Sequence, residues 1–336
     1  MTVRVGINGF GRIGRGFLRA ALTNKADIEV VAVNDLTDAK TLATLLEWDT
    51  LTGHLEGVRL DGNDIYYAAD KKFTVLAEPD PTKIKWGDYG VDIVIESTGR
   101  FVSGELAKQH LQGGARKVII SAPAKGGTDG VQSIVLGVND QDLDPDHFDV
   151  FSNGSCTTNS LAPVAKVLND NWGIENGFMT TVHAYTGDQK LHDAPHRDLR
   201  RARMAAENII PTSSGAAIAI GLVIPELAGK LTGAALRVPI PVGSITDLTV
   251  QLKKPATPEE INAKFAEVAD KGNWEGILEY SEAPLVSTDI RMNPHSSIFD
   301  APLTKSIGSL VQVKAWYDNE WGFSNRMVEF AERIAK

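Results

Sequence analysis

A single cysteine, Cys156, stands among hydroxyl and amide side chains in Ser152-Asn-Gly-Ser-Cys-Thr-Thr-Asn-Ser160, just ahead of an apolar run. A lone cysteine forms no intrachain disulfide, which leaves a small buried hydrophobe or a nucleophilic thiol. Ser155, Thr157, Thr158 and Asn159 make a poor apolar pocket, and this favours the nucleophile. Leu161, Val164, Ala165 and Leu168 follow helical spacing, so Cys156 is expected at or near a helix N-terminus. Partial positive charge there lowers a thiol's pKa. Pro163, past the first turn, is expected to kink that helix or delay its regular part.

A thiol nucleophile needs a base. Gly177-Phe-Met-Thr-Thr-Val-His-Ala-Tyr-Thr186 alternates as a strand does, with Met179, Thr181, His183 and Tyr185 on one face. A strand that follows the cysteine's helix can return to the same cleft, which singles out His183. The chain has seven histidines, and spacing alone leaves a structural role open for this one.

The elements that must position these groups begin with a nucleotide-binding pattern. Val3, Val5 and Ile7 alternate as a short strand, and Gly9-Phe-Gly-Arg-Ile-Gly14 leads into a helical pattern through Ile13, Phe17 and Ala20. Glycines so spaced allow a tight turn, close approach of a pyrophosphate and close helix–strand packing. A second apolar run, Ile28 to Val33, ends at Asn34-Asp35, and Asp35 lies 21 residues beyond Gly14. That is close to the ~20 expected for the carboxylate that binds the adenosine ribose. A carboxylate there opposes the extra phosphate of NADP by several kcal/mol at about 4 Å and an effective dielectric near ~20. Leu36 supplies no compensating cation, so NAD is the expected cofactor. Strands are also expected over 91–95, 117–121 and 147–152, their carboxyl ends lining the cofactor crevice.

Composition bounds the class. The chain has 336 residues, 43% hydrophobic and 23% charged, enough for two domains with separate cores. A net charge of -9 opposes non-specific attraction to nucleic acid or anionic membrane. The apolar stretch Ala216 to Leu227 contains Pro225 and falls short of the ~20 residues that span a bilayer. The first residues enter a strand pattern at once, leaving no room for a signal peptide, and a cytoplasmic protein is expected. No metal site is read from the sequence.

Ser-Cys-Thr-Thr-Asn (155–159), His-Ala-Tyr-Thr (183–186), Trp-Tyr-Asp-Asn-Glu-Trp-Gly (316–322) and the opening glycine motif together resemble phosphorylating glyceraldehyde-3-phosphate dehydrogenase from end to end. The resemblance implies that Cys156 attacks the aldehyde and that His183 handles the proton. The hemithioacetal then passes a hydride to NAD, and inorganic phosphate attacks the thioester. It further implies that Thr186 and Arg237 bind the phosphate of glyceraldehyde 3-phosphate. Ser155, Thr157, Ser214 and Gly215 would bind the attacking phosphate. Gly9, Gly11, Arg12, Ile13, Gly14, Asp35 and Ser121 match NAD-site positions, and Asn319 would hold the nicotinamide carboxamide. Pro195 stands where proline accompanies NAD preference, and the basic run around Arg200 and Arg203 would border the anion sites. A homotetramer is implied by resemblance only.

Several positions depart from that pattern. Ser160 replaces a common second cysteine, Pro79 a frequent cation near the adenine, and Gly187 a polar residue after the substrate-site threonine. Ser213 and Ile218 alter a Thr-Thr-Gly-Ala-Ala-Lys segment. Their clustering points to a specialised isoform, tolerant of oxidants or thiol-directed inhibitors, or equally to neutral drift.

The expected architecture is an α/β Rossmann-type dinucleotide-binding domain (1–155 and 320–336) and an α+β substrate domain with a mixed sheet (156–319). Strands are expected over 237–252, 276–280, 296–300 and 310–317. Thr257-Pro-Glu-Glu260 reads as a capping box opening a helix that Gly272 ends. The last helix, 323–335, is expected to pack on the first domain. Two rival functions remain open: a dehydrogenase for a longer sugar-phosphate aldehyde whose thioester water hydrolyses, and a non-catalytic NAD- or RNA-binding protein.

Overall fold

The computed structural model describes residues 2–125 and 130–335. The chain forms two compact units, Met1–Ile134 with Gln141–Gly154 and Ser324–Lys336, and Val135–Asp140 with Ser155–Phe323. Ser155 and Val135–Asp140 thus group with the second unit rather than the first, as does the stretch from 320 to Phe323.

In the first unit the strands are β1 (Val3–Asn8), β2 (Ile28–Asn34), the short pair β3 (Trp48–Asp49) and β4 (Gly53–His54), then β5 (Arg59–Asp61), β6 (Asp64–Tyr66), β7 (Lys72–Leu76), β8 (Ile93–Glu96), β9 (Lys117–Ile120), β10 (Val131–Ser133) and β11 (Val150–Ser152). All but β3 and β4 form one sheet in the order β10-β11-β9-β8-β1-β2-β7-β6-β5. Its central strands are parallel and nearly continuous in buried apolar residues, as strands covered on both faces must be. β1 pairs with β2 on one side and β8 on the other, so the strand order reverses there. A ligand crevice opens beyond the carboxyl ends of strands at such a reversal. Helices α1 (Arg12–Thr23), α2 (Ala39–Glu47) and α3 (Gly104–Ala107) belong to this unit.

The first helix of the second unit is α4 (Cys156–Trp172), which begins at the cysteine itself. Pro163 neither delays it nor breaks it, contrary to expectation. Proline inside a helix costs about 3 kcal/mol, but here Leu161, Ala162, Val164, Ala165 and Leu168 are all buried in the core, and tertiary packing overrides the local penalty. The mixed sheet contains β12 (Ile174–Ala184), β13 (Ile210–Ser213), β14 (Leu231–Val238), β15 (Ser244–Leu252), β16 (Leu278–Ser281), β17 (Ser297–Asp300), β18 (Lys305–Ile307) and β19 (Leu310–Tyr317). The stretch expected as one strand region from Arg237 is therefore two strands, with Arg237 near the end of the first. Helix α5 (Ala216–Val223) packs on α4 and β14. Helix α6 (Pro258–Val268) has the reciprocal Thr257–Glu260 capping box. It stops before Gly272, because Asp270 already turns the chain with φ 51.

Helix α7 (Trp321–Ile334) belongs to the first unit from Ser324 onward. Gly16 of α1 meets it closely, since a Cβ there would lie 2.5 Å from Ser324 Oγ. Among the described residues no helix is long and apolar enough to cross a membrane.

Register in the second sheet places the chemistry. β12 runs parallel to β14 with His183 opposite Arg237, and antiparallel to β15 with Val182 opposite Ile245. β15 in turn sets Ser244 opposite Tyr317 of β19. Gly233 allows β14 its close approach: a Cβ there would sit 2.2 Å from the Met179 carbonyl oxygen. Gly233→Ala is therefore expected to destabilise the protein by about 1–3 kcal/mol, the usual cost of overpacking, seen as a lower urea midpoint. An unchanged midpoint would show that the strands have room to separate.

Candidate active site

In the first unit the glycine turn divides its labour. Gly9 has φ 92, and a Cβ there would lie 2.8 Å from the Thr98 nitrogen; at Gly14 it would lie 2.4 Å from Gly9 O. At Gly11 it would meet nothing within 4 Å. The outer glycines close the turn, and the middle one faces open space. Gly11 is the N-cap of α1, with no side-chain cap and no acidic residue in the first turn, so the helix end suits an anion. Asp35 lines the same cleft as Gly9 and Gly11. Its carboxylate accepts the N–H groups of Phe10 (2.8 Å) and Thr37 (2.9 Å), which fixes its direction. Ile13 follows Arg12 in the first turn of α1. The Arg12 guanidinium is paired with Asp49. Burial opposes ionisation of Asp49, but Arg12 and the N–H groups of Thr52 and Leu51 outweigh it and hold the carboxyl well below its usual range. Ser121 follows β9 and donates its N–H to Glu96 O at 3.0 Å.

A buried polar network, with no periodic signature in the sequence, braces this cleft. Trp86 donates Nε1–H to His110 Nδ1 at 3.2 Å, so His110 carries its proton on Nε2, 3.0 Å from Glu96 Oε2. Asn8 Nδ2 (2.6 Å) and the Thr98 N–H (2.8 Å) also donate to Glu96. Thr98 at the cleft wall is thereby tied to the interior.

In the second unit, Ser155 caps α4 by accepting the Thr158 N–H at 3.1 Å, and Cys156 is the first helical residue. Its Sγ lies 3.5 Å from Nε2 of His183, which is buried. On the far side of the imidazole, Nδ1 lies 2.7 Å from Ala184 O and 2.7 Å from Arg237 Nη1. The Tyr317 ring meets the imidazole edge-on at 5.8 Å. Its hydroxyl joins those of Thr157 (2.9 Å) and Thr181 (2.8 Å).

Burial, reinforced by the Arg237 cation, drives the His183 pKa down to about 3. Burial pushes the Cys156 thiol up, although Arg237 and Thr157 pull the other way. Desolvation of the sulfur is the largest of these influences, so the helix end does not by itself set the thiol's pKa.

Thr186 and Gln189 form one turn, with the Thr186 N–H donating to Gln189 Oε1 at 3.2 Å. In the basic run the inward arginine is neither Arg200 nor Arg203 but Arg201, which donates to Thr212 Oγ1 (2.9 Å) and Asp188 Oδ2 (2.6 Å). Arg203 pairs with exposed Asp193 instead. Only the pairing of Thr212's strand β13 with β14 brings Arg201 there, a long-range fact invisible in a charge run. Ser214 Oγ accepts the Ala216 N–H at 3.3 Å, and Gly215 is the N-cap of α5 with open space where its Cβ would be. Asn319 Oδ1 accepts from Ser244 Oγ at 3.1 Å, and the neighbouring Asp318 accepts the N–H groups of Met292, Glu320 and Trp321.

Residues 3–104 match the family profile "Glyceraldehyde 3-phosphate dehydrogenase, NAD binding domain", and residues 155–319 match "Glyceraldehyde 3-phosphate dehydrogenase, C-terminal domain". The chain belongs to the glyceraldehyde-3-phosphate dehydrogenase family. It is 58% identical to the glyceraldehyde-3-phosphate dehydrogenase of Mycobacterium avium and 57% identical to that of Mycolicibacterium smegmatis, covering 100% of this chain and 99% of each relative. Glyceraldehyde-3-phosphate dehydrogenase 1 of Streptomyces avermitilis is 57% identical over 98% of both chains. As a member of this dehydrogenase family the chain is an oxidoreductase with NAD as its cofactor. Its departures from the family pattern fall in different settings. Ser160 is fully buried, its hydroxyl 3.2 Å from Thr246 Oγ1. Pro79 lines the cofactor cleft, Gly187 and Ser213 are exposed, and Ile218 is 75% exposed on α5.

The buried imidazole has a stability consequence. Unfolded His183 takes up a proton near pH 6.5, whereas the folded residue does so only near 3. Stability is therefore present above about pH 6.5 and lost as pH falls towards 3, at up to about 1.4 kcal/mol per pH unit. His183→Gln is expected to flatten this acid-side decline in urea midpoint. An equal decline in variant and wild type would assign the loss to other groups.

Proposed function

We propose that this chain is a phosphorylating glyceraldehyde-3-phosphate dehydrogenase, converting D-glyceraldehyde 3-phosphate, NAD and inorganic phosphate to 1,3-bisphosphoglycerate and NADH. The observation that carries the reading is the sulfur–imidazole pair at 3.5 Å with a guanidinium behind it. In this reading Cys156 Sγ attacks the aldehyde carbon while His183 Nε2 takes the thiol proton. Backbone N–H groups at the start of α4 stabilise the hemithioacetal oxyanion. When bound, NAD supplies a hydride acceptor. The thioester then held on Cys156 is attacked by a phosphate oxygen, the C–S bond breaks, and the sulfur leaves as thiolate.

Gly9, Gly11 and the first turn of α1, with Arg12, Ile13 and Gly14, would hold the pyrophosphate, Asp35 the ribose hydroxyls, and Ser121 and Asn319 the nicotinamide end. Thr186 and Arg237 would take the substrate phosphate. Ser155, Thr157, Ser214 and Gly215 would take the attacking phosphate; for Thr157 the backbone N–H is the better donor, since its hydroxyl is bonded to Tyr317.

NADH formation from glyceraldehyde 3-phosphate is expected to require inorganic phosphate. Cys156→Ser should lower kcat by at least about a thousandfold and His183→Asn by about 10²–10⁴-fold. Turnover without phosphate would favour the rival in which water hydrolyses the thioester of a longer aldehyde. No NAD reduction would favour a binding role.

A homotetramer is proposed as well. Its support is the set of large apolar side chains left exposed on the second unit: Phe178 (70%) on β12, Leu199 (82%), and Ile218 with Leu222 on α5. Light scattering coupled to size exclusion is expected to give four times the 36.2 kDa chain mass. Phe178→Asp should shift the distribution to smaller species, and a monomeric wild type would overturn the assembly.

A further inference from the structure

Three neighbouring strands of the first unit end on polar side chains that stand in one row. β1 closes with Asn8, β2 with Asn34 and β8 with Glu96, and the register sets Asn8 opposite both of the others. All three are buried. Asn8 and Asn34 also line the cofactor cleft, together with Glu78, Pro79 and Thr98.

The direction of each hydrogen bond in the row is forced from its two ends. The Glu78 N–H can only donate, so the Asn34 atom 2.8 Å from it is Oδ1. Asn34 Nδ2 then gives one hydrogen to Glu78 O (2.9 Å) and the other to Asn8 Oδ1 (2.8 Å). That turns Asn8 Nδ2 towards Glu96 Oε2, to which it donates at 2.6 Å. From the other end, Trp86 Nε1–H fills His110 Nδ1, so His110 Nε2–H also points at Glu96 Oε2. The Thr98 N–H donates to Glu96 Oε1 at 2.8 Å. Thr98 Oγ1 accepts the Arg100 N–H at 3.0 Å and passes its own hydrogen to the same carboxylate oxygen.

Every chain of donors therefore ends on Glu96, which must accept on both oxygens. An amide in its place has one accepting oxygen. With its NH2 towards Asn8 and His110, it would oppose two donors; Asn8 would turn round, Asn34 would follow, and the Glu78 N–H would then face a donor. With its NH2 towards Thr98, the opposite wall of the cleft would be released. One side chain two links away thus decides whether Glu78, beside Pro79 in the cleft wall, is clamped on both its N–H and its C=O.

We propose that Glu96 is a positioning residue for the adenosine half of NAD: by demanding donors on both oxygens it orients the amides of Asn8 and Asn34 and, through them, fixes the cleft wall at 78–79. Glu96 acts from beneath the cleft without touching the cofactor. This rests on the reading of the cleft as the seat of the adenosine and pyrophosphate of NAD.

The probe is ADP-ribose, which has those groups and no nicotinamide, and its binding is read by titration calorimetry on the full chain. Glu96→Gln, checked for native folding by its thermal transition, is expected to raise the ADP-ribose Kd by about tenfold or more, the effect of leaving a buried donor unpaired. The KM for NAD should rise with it while kcat at saturating NAD moves by less than about twofold. The double variant Asn8→Asp with Glu96→Gln keeps size and net charge and restores the alternation of donors and acceptors. The introduced carboxylate accepts from Asn34, from the introduced amide and from His110 Nε2–H, which already lies near that position, with 3.4 Å between Asn8 Nδ2 and His110 Nε2. Its Kd is expected to return to within about threefold of wild type, a coupling that simple loss of packing does not produce. An unchanged Kd in folded Glu96→Gln, a double variant as weak as the single one, or wild-type enzyme that does not bind ADP-ribose overturns the proposal. So does a fall in kcat with KM unmoved. Should Glu96→Gln not fold, the double variant decides alone: affinity close to wild type supports the proposal, and weaker binding or failure to fold overturns it. Phosphate-dependent NADH formation tests the dehydrogenase reading separately: normal turnover with unchanged ADP-ribose binding in Glu96→Gln sinks only the positioning role.

Discussion

The imidazole of His183 sits where it does because its strand is paired along both edges. β14 on one side delivers Arg237 to Nδ1, and β15 on the other fixes Ser244, whose Oγ accepts the Ala184 N–H at 3.1 Å and donates to Asn319. β19 is held against β15 and brings Tyr317 to the ring edge. A one-residue slip in any of these pairings would turn the corresponding side chain to the opposite face. The geometry of the thiol centre is therefore a property of sheet register, with the helix end of α4 supplying the sulfur.

Burial then sets the resting chemistry. Desolvation pushes the Cys156 thiol up and the His183 imidazole down, and the Arg237 cation opposes the first shift and reinforces the second. The polar groups around them are satisfied by one another, as the Thr157–Tyr317–Thr181 hydroxyls show. Such a network holds one arrangement of side chains more firmly than isolated pairs do. Cys156 has no second thiol anywhere in the chain, and the position one turn along, Ser160, is a hydroxyl bonded to Thr246.

The cofactor cleft works by a different principle. There the backbone makes the exposed surface of the turn, and side chains mainly shape it: glycines at 9 and 14 remove atoms, while Asp35 is aimed by two N–H groups. The buried Glu96 collects donors from Asn8, His110 and Thr98, so the cleft wall is anchored to the sheet beneath it.

Local information was enough for the features that depend on neighbours in the chain. The glycine turn between β1 and α1, the start of α4 at Cys156, the Thr257–Glu260 capping box and the alternation that made His183 a candidate are all short-range, because turn chemistry, capping and periodicity act within a few residues. Tertiary structure alone decided the rest. Pro163 survives inside α4 because surrounding core outweighs the missing backbone bond. The thiol is raised rather than lowered because desolvation depends on what the whole unit packs around it. Arg201, not Arg200 or Arg203, turns inward because β13 pairs with β14. His110, Tyr317 and the contact of Arg237 with Nδ1 gave no signal in the sequence, since each joins residues distant in the chain whose meeting is set by register and burial.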